Sequence, residues 1–173
     1  IKDEKKVFES VDYMLLSEEI YNTQKELYNN VKHCEALPYV MPLINEQKSE
    51  KKYFTDKGIH CVYAGRFYKD IRNPEFMLNI FSKVKDDNIK LHLFSVGCEE
   101  IVSKYIGANI ILHEQVNSSE ISKVYLDADV LVGISNSVAE FLPSKIYEYI
   151  ASRKPIVFFN HKNTHINILD CYP

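Results

Sequence analysis

The chain has 173 residues, of which 46% are hydrophobic and 26% are charged, and its formal net charge is −3. Such a length allows one domain with a hydrophobic core, or one domain and part of another. The composition is typical of a globular protein, and the slightly acidic balance argues against nucleic acid as a partner.

The four cysteines and six histidines are scattered along the sequence, without the close spacing of a metal site. We therefore expect no metal ion, no cofactor, and cysteines that stay reduced. No apolar run approaches the roughly 20 residues of a transmembrane helix. Because the sequence does not begin with methionine, we expect a fragment of a longer protein.

Residues 1–42 predict a helix, a strand, a second helix and a second strand. The strands are expected at 12–17 and 36–41, and Ser17 is suited to cap the second helix because its hydroxyl can accept an amide of the first turn. The apolar positions of the two helices are Val7, Phe8, Val11, Ile20, Leu27 and Tyr28. This part of the chain therefore has the pattern of an α/β domain.

A strongly polar stretch, residues 45–57, separates this part from the rest. Polar runs of this kind often connect domains. We therefore predict that residues 1–45 end an N-terminal α/β domain, that residues 46–57 form a linker, and that residues 58–173 form a second domain.

From residue 58 onward, short apolar runs alternate with segments of helical pattern. Strands are predicted at 59–64, 90–96, 109–112, 128–134 and 155–159, and helices at 73–84, 99–105, 118–126 and 143–152. Ser118 or Ser119 is expected to cap the third of these helices. The alternation predicts βαβ units, and hence an α/β fold with a doubly wound parallel sheet that has helices on both faces.

Ligands of such sheets bind at the carboxyl ends of the strands, so the loops there are the candidate sites. In the first loop, Gly65 permits a tight turn, and three cations follow, Arg66, Lys69 and Arg72. Guanidinium groups match the oxygens of a phosphate or diphosphate. From the loop alone, a solvated loop whose cations pair with Asp70 is the favoured alternative.

The segment 135–157 contains a polar turn, a helix and the final strand. Pro143 is suited to the first helical position, and the amides of a first turn can bind an anion. The polar stripe of the helix consists of Ser144, Lys145, Glu148 and Ser152. Glu148 could accept the hydroxyls of a ribose whose phosphate lies at the helix start. On periodicity alone, an ordinary amphipathic helix is the favoured alternative.

The run from Glu140 to Glu148, E-F-L-P-S-K-I-Y-E, resembles the Glu-x(7)-Glu motif of retaining GT-B glycosyltransferases. Its continuation, Y-I-A-S-R-K-P-I-V, is similar to the signature of glycosyltransferase family four (glycosyl transferases group 1), and P-S-K-I-Y-E-Y is typical of members that build bacterial surface polysaccharides such as capsule. Upstream, Y-A-G-R-F resembles the family's phosphate loop, and A-D-V-L-V resembles the strand before the motif. The resemblance covers residues 59–160 and implies the Rossmann-like C-terminal half of a GT-B fold.

The resemblance implies that the chain binds a nucleotide-diphosphate sugar such as a UDP-sugar. Glu140 would contact the transferred sugar, and Arg66 would stabilise the departing diphosphate. The donor-binding residues that it implies are Gly65, Arg66, Lys69, Arg72, Gln115, Val116, Phe141, Leu142, Pro143, Ser144 and Glu148, with Gln115 and Val116 beside the nucleobase and Glu148 on the ribose. Ile71 stands where the family has its second phosphate lysine, so Lys69 or Arg72 would take that role.

The implied activity is transfer of the sugar, with retention, to a glycan or lipid-linked acceptor held by the missing part of the first domain. Such an enzyme would lie in the cytoplasm or at the inner face of the membrane, and the fragment alone would be inactive. A GT-B sugar-nucleotide epimerase and a non-catalytic nucleotide-sugar-binding scaffold are the alternatives. Phe141 and Arg153 each stand where the family has a glycine. The departures at Phe141 and Ile71 keep the scaffold as an alternative, whereas the retained glutamate pair argues against it.

Overall fold

The structure is a computed structural model that describes residues 2–29, 31–38, 52–137, 143–160, 169 and 172. The chain divides into two compact units, Ile1–Met41 and Pro42–Pro173. The junction between them lies outside the described ranges, and the predicted domain limits stay predictions. Within those ranges, no helix is long and apolar enough to cross a bilayer.

The first unit contains a two-stranded parallel sheet and two helices. Its elements are α1 (Lys2–Ser10), β1 (Tyr13–Ser17), α2 (Glu18–Gln24), a 3₁₀ turn (Lys25–Tyr28) and β2 (His33–Leu37). Strand β1 pairs with β2, with Tyr13 opposite His33. The side chain of Ser17 accepts the amide of Ile20 at 3.4 Å, which confirms the predicted cap.

Two sequence predictions for the first unit are wrong. The second strand begins at His33 and ends before Pro38, whereas residues 36–41 were expected, because its limits are set by pairing with β1. The chain also tightens to a 3₁₀ turn at Lys25, which changes the buried face. Leu27 is therefore 70% exposed, whereas Tyr28 is 8% exposed and packs edge-on against Phe8 at 4.8 Å between ring centroids.

The second unit contains a five-stranded sheet in which every pairing is parallel. Its elements are β3 (Ile59–Arg66), α3 (Glu75–Phe81), β4 (Ile89–Val96), α4 (Glu99–Val102), β5 (Ile110–Leu112), α5 (Ser118–Asp127), β6 (Val130–Ile134), α6 (Lys145–Ser152) and β7 (Ile156–Phe159). The strand order is β5-β4-β3-β6-β7. The predicted parallel α/β sheet is therefore confirmed.

Helices cover both faces of this sheet, as a doubly wound fold requires. On one face, α3 and α4 bury Met77, Leu78 and Val102 against the strands. On the other face, α5 and α6 bury Val124 and Tyr149. Alternate residues of each strand point into the two cores, so the strands are continuous apolar runs, as expected of a parallel sheet buried on both sides.

The limits of several elements differ from the prediction. Strand β3 continues through Gly65 and Arg66 because its backbone stays paired with β4 as far as Val96. Asn117, not Ser118 or Ser119, caps α5, since its side chain accepts the amide of Glu120 at 2.9 Å. An asparagine oxygen caps as well as a serine hydroxyl, and the sequence offers both types at adjacent positions.

Part of the stretch predicted as a linker packs on the second unit. Phe54 is buried in the core beneath α5. The carboxylate of Asp127 accepts the amide of Phe54 at 2.9 Å, and the hydroxyl of Tyr53 donates to Glu120. Residues 53 and 54 are therefore held on the surface of α5.

The strand order places a topological switch point between β3 and β6. From β3 the chain proceeds to β4 and β5 on one side of the sheet, and then returns to add β6 and β7 on the other. The loops that leave the carboxyl ends of β3 and β6 therefore diverge to opposite faces. Open α/β sheets bind their ligands in the crevice that this divergence creates.

Candidate functional site

The loops after β3 and β6 are joined at the switch point by hydrogen bonds. The amide of Ser137 donates to the carbonyl of Ile71 at 2.6 Å, and the Ser137 hydroxyl donates to the carbonyl of Asp70. These bonds fix the loop that carries the predicted phosphate cations against the beginning of the loop after β6.

Arg72 is the cation that the structure holds most firmly. Its Nε and Nη2 atoms both donate to Oδ1 of Asn136, at 3.1 and 2.8 Å. The guanidinium also lies beside Tyr63, where burial raises the pKa of the phenol to about 12 and the charge of Arg72 offsets part of that rise. Arg72 is therefore oriented from two sides at the switch point, which the sequence did not reveal.

Arg66 and Lys69 are exposed at the same edge of the sheet. Gly65 does not make the tight turn that was predicted, because it lies inside β3 with φ 154° and the strand continues through Arg66. Lys69 lies near Cys98, where burial raises the pKa of the thiol and the lysine charge counteracts it. Neither cation is anchored as Arg72 is.

The start of the loop after β4 presses against the end of β3. Gly97 has φ 85°, and a Cβ atom added there would lie 2.4 Å from the carbonyl oxygen of Phe67 and 3.7 Å from Cγ of Arg66. Glu99 accepts the Gly97 amide at 2.7 Å. This bond and its own backbone amide lower the pKa of Glu99, and the charge of Arg66 adds to that effect. Arg66 thus lies over Gly97, with Glu99 nearby.

Helix α6 begins later than the sequence predicts. Pro143 is buried two residues ahead of the first helical residue, and its carbonyl accepts the amide of Ile146 at 3.0 Å. Ser144 is exposed beside it. Lys145 and Glu148 form an ion pair of 2.8 Å on the predicted polar stripe, and each side chain is 33% exposed.

The polar stripe of α6 does not extend to Ser152, which was predicted to lie on it. Ser152 is buried, and its hydroxyl donates to the carbonyl of Tyr149 at 2.6 Å. Tyr149, which the sequence analysis missed, is the main buried residue of this helix. Its hydroxyl accepts the backbone amide of Ala64 at 3.3 Å, and its ring packs edge-on against Tyr125. Its spacing of three residues from Ile146 is the signal that could have identified it.

A small cavity lies at the switch point between the cationic loop and α6. Its walls include Tyr63, Arg72, Pro143, Lys145 and Tyr149. Both cations line it, one from the loop after β3 and the other from the first turn of α6. Two cations are suited to an anionic group, but a cavity of about 10 Å³ has room for only one water molecule, so such a group would have to bind at its mouth.

The predicted nucleobase segment lies at the same edge of the sheet, after β5. Gln115 is exposed, and Val116 packs partly buried against the core on the α5 face. A separate cavity of about 130 Å³ lies at the ends of β4 and β5, with Ser95, Glu99 and Leu112 among its walls. Gln115 therefore lies close in sequence to a concave surface at the carboxyl edge.

Three of the predicted site residues lie outside the described part of the chain. These are Glu140, Phe141 and Leu142. Their predicted contacts with the donor sugar and its diphosphate stay predictions.

The fold and the site define a Rossmann-like α/β domain with a cationic crevice at its switch point. Residues 58–168, more than half of the chain, match the family described as glycosyl transferases group 1, and the chain belongs to this family. It is also similar to the bifunctional protein GlmU of Campylobacter concisus (strain 13826), with 33% identity over 73 residues. That alignment covers 36% of this chain and 17% of the relative.

Proposed function

We propose that the second unit is the donor-binding domain of a retaining GT-B glycosyltransferase of family four. The enzyme would transfer a sugar from a nucleotide-diphosphate donor, such as a UDP-sugar, to a glycan or lipid-linked acceptor in bacterial surface polysaccharide synthesis. The first unit would be the end of the acceptor-side domain. Membership of the group 1 glycosyltransferases supports the general activity, and the crevice at the switch point supports the location of the donor.

The observation that carries the proposal is the position of Arg72, which lines the cavity at the switch point. Asn136 fixes two of its nitrogen atoms, and Lys145 approaches the same cavity from the helix start. A diphosphate has oxygens for both cations. Because the cations are held before any ligand binds, stabilising the departing diphosphate would require little reorganisation. No metal ion takes part in the proposed mechanism.

Of the two candidates for the second phosphate cation, the geometry favours Arg72 over Lys69. Arg72 is partly buried and held by Asn136, whereas Lys69 is exposed. Arg66, at the end of β3, would contact the other side of the diphosphate. The exposed Ser144 would offer its backbone to the same group.

Glu148 is proposed to accept the ribose hydroxyls, although it pairs with Lys145 in this structure. The ion pair is compatible with this role, because a carboxylate has about four lone-pair sites and can accept from both partners. Glu140 is proposed to contact the transferred sugar.

Nucleotide binding to the full chain tests the proposal. UDP, GDP and ADP would be titrated while amide signals are followed, and we expect shifts at Arg66 and Glu148. Arg72→Ala should weaken binding by about tenfold to a hundredfold, since it removes a charged hydrogen-bond donor from the diphosphate. The matched control is Lys83→Ala, because Lys83 is exposed near the beginning of β4, at the opposite edge of the sheet.

Two outcomes would contradict the proposal. One is that no amide signal shifts when nucleoside diphosphate is added at millimolar concentration. The other is binding that Arg72→Ala and Lys83→Ala weaken equally, because the effect would then reflect overall charge and not the crevice.

A further inference from the structure

Hydrogen bonds between rings join three histidines in a row across one face of the sheet, and the carboxylate of Asp56 lies at ion-pair distance from the first ring without a hydrogen bond to it. Nε2 of His60 lies 2.8 Å from Oδ1 of Asp56. Nδ1 of His60 lies 3.0 Å from Nε2 of His92, and Nδ1 of His92 lies 2.8 Å from Nε2 of His113. The rings belong to β3, to β4 and to the residue after β5, so the row runs diagonally across three neighbouring strands.

The middle of this row is removed from water. His60 and His92 are 5% and 4% exposed. Phe54 stacks on the His60 ring at 4.6 Å, and Phe94 stacks on the His113 ring at 4.5 Å. Because apolar rings flank the row of histidines, protons can move along its hydrogen bonds and can enter or leave at its two ends.

Few other charged groups lie near the row of histidines. Asp56, 49% exposed at one end, also pairs with Lys90 on β4. The carboxylate of Asp129 accepts the backbone amide of His60 at 2.8 Å, and the amide of Asp129 donates to the His60 carbonyl at 3.0 Å. Glu114 follows His113 at the other end and is exposed. Glu120 of α5 binds Tyr53. Within the described ranges, no group of three or more histidine, cysteine, aspartate or glutamate side chains is placed to hold a metal ion.

When all three rings are neutral, the chemistry of the four groups allows one ordered arrangement of protons. An ionised carboxylate repels the lone pair of a bare ring nitrogen, so Nε2 of His60, 2.8 Å from Oδ1 of Asp56, carries a proton. If His60 is neutral, its Nδ1 accepts from Nε2–H of His92, whose Nδ1 in turn accepts from Nε2–H of His113. All three rings are then Nε2–H tautomers, and Nδ1 of His113 is an acceptor.

One added proton reverses every bond between the rings when its charge comes to rest on His60. The proton binds to Nδ1 of His113, whose Nε2 proton passes to Nδ1 of His92. The Nε2 proton of His92 then passes to Nδ1 of His60. His113 and His92 end as neutral Nδ1–H tautomers, and His60 carries the positive charge beside the Asp56 carboxylate.

We propose that Asp56, His60, His92 and His113 form a proton relay that determines whether Nδ1 of His113 accepts or donates a hydrogen bond at the carboxyl edge of the sheet. His113 lies two residues before Gln115, which with Val116 is expected beside the nucleobase of the donor. The relay would therefore make nucleotide binding depend on pH. This last step, and only this step, rests on the proposed function.

The surroundings of the other two rings, His92 and His113, disfavour a positive charge on them. Burial lowers the pKa of His92 to about 3, and the neighbouring His113, His60 and Lys90 contribute to the decrease. Burial also lowers the pKa of His113. His60 is the ring that faces a carboxylate, so it is the position where an added proton is best compensated.

Nitrogen-15 NMR of the histidine side chains in the full chain tests the relay directly. At pH 7.5, all three rings should show a protonated Nε2 and a bare Nδ1. On acidification, His92 and His113 should change together to neutral Nδ1–H tautomers while His60 becomes doubly protonated. A ring with Nδ1–H at pH 7.5, or three rings that titrate independently, would overturn the proposal.

Two matched variants separate the relay from a general change in charge. Asp56→Asn should move the joint transition to lower pH by about one to three units, because it removes the opposite charge from His60. Asp129→Asn removes a carboxylate that contacts only the His60 backbone and should leave the transition in place. Equal shifts in the two variants would refute the relay.

A third variant, His92→Phe, breaks the row at its middle but keeps an aromatic ring. His113 should then change its tautomer without any response from His60. If circular dichroism shows that this variant does not fold, the two carboxylate variants still decide the question. A joint transition that persists in folded His92→Phe would exclude the relay.

UDP affinity measured between pH 5 and 8 connects the relay to the ligand. The affinity should change with the same midpoint as the joint tautomer transition, and Asp56→Asn should move both midpoints together. If UDP binds at no pH while the tautomers behave as expected, the proposed function fails and the relay stands. If UDP binds and the tautomers do not change together, the relay fails and the proposed function stands.

Discussion

Arg153 ends α6 in the left-handed region, with φ 55° and ψ 31°, while its amide donates to the carbonyl of Ile150. A side chain there costs about 1–2 kcal/mol, which glycine avoids. Arg153→Gly should therefore raise the free energy of unfolding by about 1 kcal/mol, as measured by urea denaturation. Arg153→Ala keeps the Cβ atom and should bring no such gain. Equal effects of the two substitutions would show that the arginine side chain, and not its backbone, controls this helix end.

Gly97 is a second residue whose backbone conformation and close contacts restrict which side chains can replace it. Gly97→Ala would place a methyl group against Phe67 and should destabilise the chain by about 2 kcal/mol. It should also displace Arg66 and weaken nucleoside diphosphate binding. Gly107→Ala is the matched control, because the nearest atom to its added Cβ is 4.0 Å away. Urea denaturation of both variants checks this, and similar stabilities would contradict the close contact between the loops.

At the scale of secondary structure, the sequence predicts strands better than it predicts the ends of helices. The strands of the second unit are mostly apolar runs, and such a run is visible in the sequence without knowledge of its partner strand. The limits of β3 depend on pairing with β4, and those of β2 on pairing with β1, so neither limit is a local property. The face of α6 was misjudged for the same reason, since Tyr149 is buried by its contact with Ala64 of β3.

The sequence predicted which loops form the candidate site, but not which side chains are held in place there. The sequence indicates that the loops after β3 and β6 lie at one edge, and the structure brings them together there. It could not choose between Lys69 and Arg72, because both lie in one loop and the difference is made by Asn136, 64 residues away from Arg72. The buried tyrosines behind the site follow from packing of α6 on the sheet, which no local pattern specifies.

The histidine chain exists only at the scale of the whole sheet. His60, His92 and His113 are separated by tens of residues, and their scattered spacing predicted no site of any kind. The parallel register places Val62 opposite His92 and His92 opposite Ile111, so each histidine lies two positions beyond its neighbour along the diagonal. Hydrogen bonds between rings then connect strands that the sequence treats as independent.

This burial of neutral histidines predicts that folding stability decreases in mild acid. The pKa of His92 is lowered from 6.5 to about 3 in the folded chain, whereas the unfolded chain takes up the proton near the ordinary value. Between these values the unfolded state binds more protons, so stability is complete above pH 6.5 and is lost as the pH falls towards 3. His92 alone contributes a slope of up to about 1.4 kcal/mol per pH unit.

Urea denaturation at several pH values between 5 and 7.5 measures this slope. His92→Phe should lower stability at every pH because it leaves two ring nitrogens without partners, but it should flatten the slope by about one proton. Tyr125→Phe is the control, since it alters a buried aromatic residue whose phenol, with a pKa raised by burial, does not titrate in this range. It should change stability by the same amount at every pH. A slope that survives in His92→Phe would mean that other groups, and not the buried histidines, determine how the chain responds to acid.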